Sequence, residues 1–135
     1  MLTNTKAYSG FAVDDMNKAR EFYRGTLGLR TSEEHDLMWL HLAGDRDTLV
    51  YQQPDATPAS YTILNFEVDD IDKSVDELIA RGVRFERYDT VEQDERGIFR
   101  GEGPFIAWFK DPAGNVLSVL QAKGMANAIH GVWRR

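Results

Sequence analysis

Phe11-Ala12-Val13-Asp14-Asp15-Met16-Asn17-Lys18 and Phe66-Glu67-Val68-Asp69-Asp70-Ile71-Asp72-Lys73 share five identities at a constant offset of 55 residues. Each stretch follows an alternating apolar segment and precedes an amphipathic one. Each half of the chain also closes on a strand-like run ending in glutamine, Leu49-Val50-Tyr51-Gln52 and Ser118-Val119-Leu120-Gln121. Two copies are too few, and the period is too long, for a solenoid. The chain reads instead as two copies of one supersecondary unit.

In the first copy, residues 7–13 place Ala7, Ser9, Phe11 and Val13 on one face and Tyr8, Gly10 and Ala12 on the other, which predicts a strand. Asp14 or Asp15 offers an N-cap. Met16, Ala19, Phe22, Tyr23 and Leu27 then recur at helical spacing until Gly28. A short strand near Arg30–Ser32 and strands over 36–42 and 48–53 complete a βαβββ unit. The second copy predicts a strand over 62–68, a helix capped by Asp70 and ended by Gly82, and strands over 83–88, 105–110 and 116–121. Residues 89–103 form a long polar loop with Gly97, Gly101 and Gly103, and such a loop commonly covers a site. The expected fold is α+β, with modules over about 6–54 and 60–122, one domain over 1–122, and a C-terminal extension over 123–135.

Composition narrows the function. The chain has 135 residues, which suits one domain. With no cysteine, it cannot build disulfides, thiolate metal sites or a cysteine nucleophile. A net charge of −6, with cations scattered among acids, argues against a nucleic-acid partner. Lys123, Arg134 and Arg135 in the tail are too sparse to reverse this. No apolar run approaches the ~20 residues of a membrane span. The N-terminus lacks the pattern of a signal peptide, so the expected location is cytoplasmic.

Several stretches carry a resemblance to a known family. In the first half they are Val13-Asp14-Asp15-Met16, Glu21-Phe22-Tyr23 and Thr26-Leu27-Gly28-Leu29. In the second half they are Val68-Asp69-Asp70-Ile71-Asp72, Ala80-Arg81-Gly82-Val83 and, above all, Ala107-Trp108-Phe109-Lys110-Asp111-Pro112-Ala113-Gly114-Asn115-Val116-Leu117. Over about residues 6–122 the chain resembles the vicinal oxygen chelate superfamily, the glyoxalase/bleomycin-resistance/dioxygenase fold. The resemblance implies curved mixed sheets forming cups, helices on the outer face, and a ligand in the cup. Tyr8, Gly10, Trp39, His41, Leu49, Tyr51, Ile63, Asn65, Glu67, Ser118 and Leu120 are expected to face it. Many members bind a divalent metal through four His or Glu side chains. The corresponding positions here are Tyr8, Ile63, Ser118 and about Leu49, which are not such donors. No metal and no cofactor are therefore expected, and metal-dependent glyoxalase or extradiol chemistry is in doubt. A site relocated onto His41, Glu67 and one further donor is the alternative.

Two residues are candidates for acid–base work. Glu67 on the cup face could act as a base if desolvated, or be a solvated rim carboxylate. His41 could be its partner, or bond a neighbour. Asn65 could orient a ligand carbonyl or bond an adjacent strand. Tyr8, Trp39, Tyr51, Phe99 and Trp108, with Asn65 and Ser118, are the expected ligand contacts, since aromatic walls with few polar groups suit small-molecule pockets and cores alike. Trp108 sits on a strand of ambiguous parity. The reading is a metal-independent protein that binds a small organic molecule. The alternative is a lyase, isomerase or epimerase using Glu67 and His41. A homodimer is expected, because sheet edges need cover and Met125, Ile129, Val132 and Trp133 of the tail need somewhere to pack.

Overall fold

The computed structural model describes residues 1–122, so the expectations for the tail lie outside the described residues. The chain divides into two units, Met1–Pro58 and Ala59 onward.

In the first unit, β1 (Ser9–Val13) leads into α1 (Met16–Arg20), and β2 (Arg30–Glu34), β3 (Leu37–Leu42) and β4 (Arg46–Gln52) follow. The sheet order is β1-β4-β3-β2. β1 runs parallel to β4, and the other neighbours are antiparallel. The amphipathic stretch expected as one helix changes pitch, because residues Glu21–Thr26 form a π-helical turn. Phe11, Val13, Met38, Leu40 and Val50 face Met16, Ala19 and Tyr23, all buried. Tyr23 is fully buried, its ring 5.6 Å from that of Phe11.

In the second unit, β5 (Thr62–Glu67) leads into α2 (Ile71–Ala80), followed by β6 (Phe105–Lys110) and β7 (Val116–Gln121). The sheet order is β5-β7-β6, with β5 parallel to β7 and β6 antiparallel to it. Ile71 and Val75 of α2 are buried with Ala107, Phe109, Leu117 and Val119. The central strand β7 is buried over Val116–Leu120. Both sheets are mixed and curved rather than closed, and the fold is α+β as expected.

One difference is instructive. Residues 83–88 form no continuous strand. Phe85 bridges Phe109 and Glu86 N–H bonds Trp108 C=O, while farther along β6 Phe99 bridges Ile106. The fourth strand of this sheet is thus split between two short segments. Gln93 substitutes for the missing ladder. Its Oε1 accepts from Tyr88 N–H at 2.8 Å, and its Nε2 donates to Glu86 C=O at 2.9 Å and Gly97 C=O at 2.7 Å. Buried backbone groups need such partners, and a side-chain amide carries a donor and an acceptor in one plane.

The repeat has a physical explanation at the helix starts. Asp15 and Asp70 are the N-caps, accepting from Lys18 N–H and Lys73 N–H. The glutamines that end the two halves perform a second, matching function. Gln52 Oε1 accepts from Met16 N–H at 2.7 Å, and Gln121 Oε1 from Ile71 N–H at 2.8 Å. Each closing strand therefore satisfies an N–H that the first helical turn would leave open.

Candidate functional site

Strand register defines the face opposite the helix in each unit. In the first sheet, Gly10, Leu49, Trp39 and Ser32 lie in one row across the four strands. In the second, Asn65, Ser118 and Trp108 lie in one row, and Glu67, Leu120 and Ile106 in the next. Gly10 and Asn65 are related by the repeat, so Leu49 is the counterpart of Ser118. Trp39 is then the counterpart of Trp108. The parity of β6 is resolved: Trp108 faces the same side as Asn65 and Ser118. Gly10 keeps its row close, since a β-carbon there would stand 3.1 Å from Leu49 C=O.

Trp39 and Trp108 each meet a tyrosine edge-on. Tyr8, just before β1, packs against Trp39 with ring centroids 4.7 Å apart. Tyr88 packs against Trp108 at 5.6 Å. Such T-shaped pairs follow from the aromatic quadrupole and hold both rings in place. Tyr8 remains exposed. Tyr88 was not among the expected contacts. Its hydroxyl is held above its ordinary pKa by burial and by Glu86 nearby. The signal for it is the equal spacing from Trp39 to Trp108 and from Gln52 to Gln121, which marks Trp108 and its neighbours as a second copy of the Trp39 site.

The polar candidates are engaged. Ser118, fully buried, donates its hydroxyl to Asn65 Oδ1 at 2.7 Å, the inter-strand bond weighed as the alternative for Asn65. Asn65 and Glu67 are exposed. His41 bonds within its own unit. Its Nδ1 is 2.9 Å from Asp47 Oδ1 and its Nε2 is 2.7 Å from Ser32 Oγ. The four metal-ligand positions hold a phenol set edge-on against Trp39, a hydroxyl given to Asn65, and two hydrocarbon side chains. This donor set does not fit a divalent metal. Among the described residues, no three His, Asp or Glu side chains gather as a metal centre.

Tyr51 and Phe99 line clefts. Tyr51 borders a cleft of about 630 Å³ between the start of α1 and the β2–β3 turn, with Arg20, Glu33 and Leu37. Arg20 there holds Glu33 in a two-pronged bond at 2.6 and 2.7 Å. That bond lowers the Glu33 pKa and raises that of Arg20. Phe99 lines a cleft of about 300 Å³ with Gln93, Ile98, Arg100 and Gly101. The 89–103 loop is tied down on α2. Arg96 bonds Asp72 and, at 2.6 Å, Asp76. Arg100 bonds Asp72 at 2.5 Å and Asp94 at 3.2 Å.

This tie has a pH signature. Burial works against the charge of Asp72, but the bonds from Arg100 and Arg96 outweigh it and hold the carboxyl below the usual range. For Asp94, burial is likewise outweighed by the Ile98 N–H, the Arg100 side chain and the Arg96 N–H. The stabilisation is therefore present above the ordinary carboxylate value of about 3.9 and is lost as pH falls through the lowered values. The groups are partly exposed, so each pair contributes little and salt weakens it. Amide exchange of Ile98, whose N–H bonds Asp94 Oδ1 at 3.0 Å, should lose protection below about pH 4. It should also lose it in molar salt at neutral pH. Protection unchanged under both conditions would exclude an electrostatic tie.

With fold and site in place, comparison with known proteins defines the class. Residues 7–119 match the Glyoxalase/Bleomycin resistance protein/Dioxygenase superfamily, and the chain belongs to that superfamily. No curated protein matches it. Several solved structures share the fold, among them the following three. The fosfomycin resistance protein FosX from Mesorhizobium loti is 15% identical, with TM-score 0.63, over 93% of this chain and 98% of that one. TnmS3, an antibiotic binding protein from Streptomyces sp. CB03234, is 23% identical, with TM-score 0.65, over 90% and 99%. The glyoxalase family protein from Enterococcus faecalis is 19% identical, with TM-score 0.65, over 89% and 99%. Among the described residues, no helix is long and apolar enough to cross a membrane.

Proposed function

We propose that this protein binds a small organic molecule without a metal, as a cytoplasmic homodimer, on the open sheet faces that carry Tyr8, Trp39, Tyr51, Asn65, Phe99, Trp108 and Ser118. The observation that carries the reading is the donor set. Tyr8, Leu49, Ile63 and Ser118 stand where the superfamily places metal ligands, and two are hydrocarbon while the Ser118 hydroxyl is bonded to Asn65. Two exposed or half-buried aromatic pairs on the same faces support an aromatic or amphipathic ligand. Similarity in fold to an antibiotic binding protein and a fosfomycin resistance protein makes antibiotics the first molecules to screen. Binding is favoured over catalysis by Glu67 and His41 as an acid–base pair, because the ring nitrogens of His41 are directed to Ser32 and Asp47 of its own sheet.

Native mass spectrometry tests these features together. The expected spectrum is a dimer with no metal adduct, unchanged by chelator. A thermal-shift screen of small aromatic antibiotics should then return stabilising compounds whose effect needs no added metal. About one chelatable metal per chain, or a monomer at tens of micromolar, would overturn the corresponding part. Recovery of the protein outside the cytoplasmic fraction would overturn the location.

A further inference from the structure

A row of polar side chains crosses the open face of the first sheet. Register sets Arg30, His41 and Asp47 side by side on β2, β3 and β4, with Ser32 two residues along β2 beside Trp39. His41 Nδ1 lies 2.9 Å from Asp47 Oδ1, and His41 Nε2 lies 2.7 Å from Ser32 Oγ. A carboxylate oxygen only accepts, so Asp47 keeps the imidazole proton on Nδ1 and turns the Nε2 lone pair toward the Ser32 hydroxyl. Nucleophile, base and orienting carboxylate are thus in hydrogen-bond sequence, each on its own strand, their spacing set by strand pairing. All three reach solvent: Ser32 and Asp47 are exposed and His41 is about one-third exposed.

We propose that Ser32, His41 and Asp47 form a nucleophilic acyl-transfer site that hydrolyses aryl esters, an activity beyond the binding function that shares Trp39 with the proposed binding face. Ser32 Oγ attacks the ester carbonyl carbon and its proton passes to His41 Nε2. The bond to the alcohol oxygen breaks, and His41 returns that proton to the leaving oxygen. Water then gives a proton to Nε2 and attacks the acyl carbon, and Ser32 Oγ departs and recovers the proton. The sum is ester plus water giving acid plus alcohol. Arg30, the cross-strand neighbour of His41, supplies a cation for the oxyanion, and Trp39, steadied by Tyr8, offers a surface for the aryl group. Asp47 is a positioning residue. The site is open to water, which keeps turnover slow and makes covalent capture the sharper probe.

The test uses the full chain with diisopropyl fluorophosphate, in which Oγ bonds phosphorus, fluoride leaves and Nε2 takes the proton. Peptide mass spectrometry should place one phosphoryl group on Ser32. Ser32→Ala should abolish it, and His41→Ala should slow labelling about 100-fold. With 4-nitrophenyl acetate, Asp47→Asn should lower kcat at least about tenfold while KM holds. All three variants alter surface side chains, and unchanged circular dichroism verifies that they fold. Absence of an adduct on Ser32, or labelling of His41→Ala at the wild-type rate, overturns the proposal. A raised KM with unchanged kcat in Asp47→Asn overturns its positioning role.

Discussion

Asp111→Ala should destabilise the protein by about 3 kcal/mol, the largest loss expected of any polar substitution described above. Asp111 is 4% exposed and lies at the turn between β6 and β7. Its Oδ1 accepts from Ala113 N–H and Asn115 N–H, each at 2.9 Å, and its Oδ2 accepts from Asn115 Nδ2 at 3.0 Å. Asn115 is 3% exposed, so water cannot replace the lost acceptor. Removing it leaves buried donors unpaired, at about 1–3 kcal/mol each where no relaxation helps. Asp111→Asn keeps one acceptor and should recover part of the loss. Urea unfolding measures both. A loss below about 1 kcal/mol for alanine would mean that the turn finds other acceptors.

Trp39→Ala should weaken binding of a screened aromatic ligand by about 2 kcal/mol, roughly thirtyfold, with little loss of folding. The substitution removes the ring surface in the row Gly10–Leu49–Trp39–Ser32 and also the partner of Tyr8. Trp108→Ala makes the same change in the repeated position of the second unit. Ile79 on the outer side of α2, itself 45% exposed, is the control, and Ile79→Ala should bind normally. Titration calorimetry of the three variants separates the two faces. If both tryptophan variants bind as the wild type does, neither open face holds the ligand and the functional reading fails with them.

Much of the fold was legible because binary patterning and caps agree. The runs 105–110 and 116–121 are mostly apolar stretches bounded by turn residues, and their boundaries match the strands observed. Asp15 and Asp70 announce the helices three residues before the N–H groups they accept from. The segment 83–88 misled because Val83-Arg84-Phe85-Glu86 alternates as a strand does, whereas beyond Phe85 and Glu86 the Glu86 C=O and Tyr88 N–H are taken by the Gln93 side chain a few residues on. The pitch change at Glu21 has no signal in apolar spacing. The polar row was hidden for a different reason. Arg30-Thr31-Ser32-Glu33-Glu34 has no apolar alternation, so nothing before the register told which face Ser32 takes. The face opposite the helix in each sheet followed from parity, but whether Asn65 and His41 are engaged depended on bonds to other strands that no local pattern encodes.

The two glutamines also set an order of events during synthesis. Among the described residues, the opening strand of each unit pairs with the closing one alone, β1 with β4 and β5 with β7, and the same closing strand carries the amide that completes the helix start. Local helix formation is fast, but these contacts span 36 and 50 residues and must wait for the chain to emerge. A nascent chain halted before Gln52 holds a strand without a neighbour and a helix with an open first turn. Once Gln52 clears the ribosome, the first unit has every backbone partner it will use within its own sheet, while the second has yet to begin.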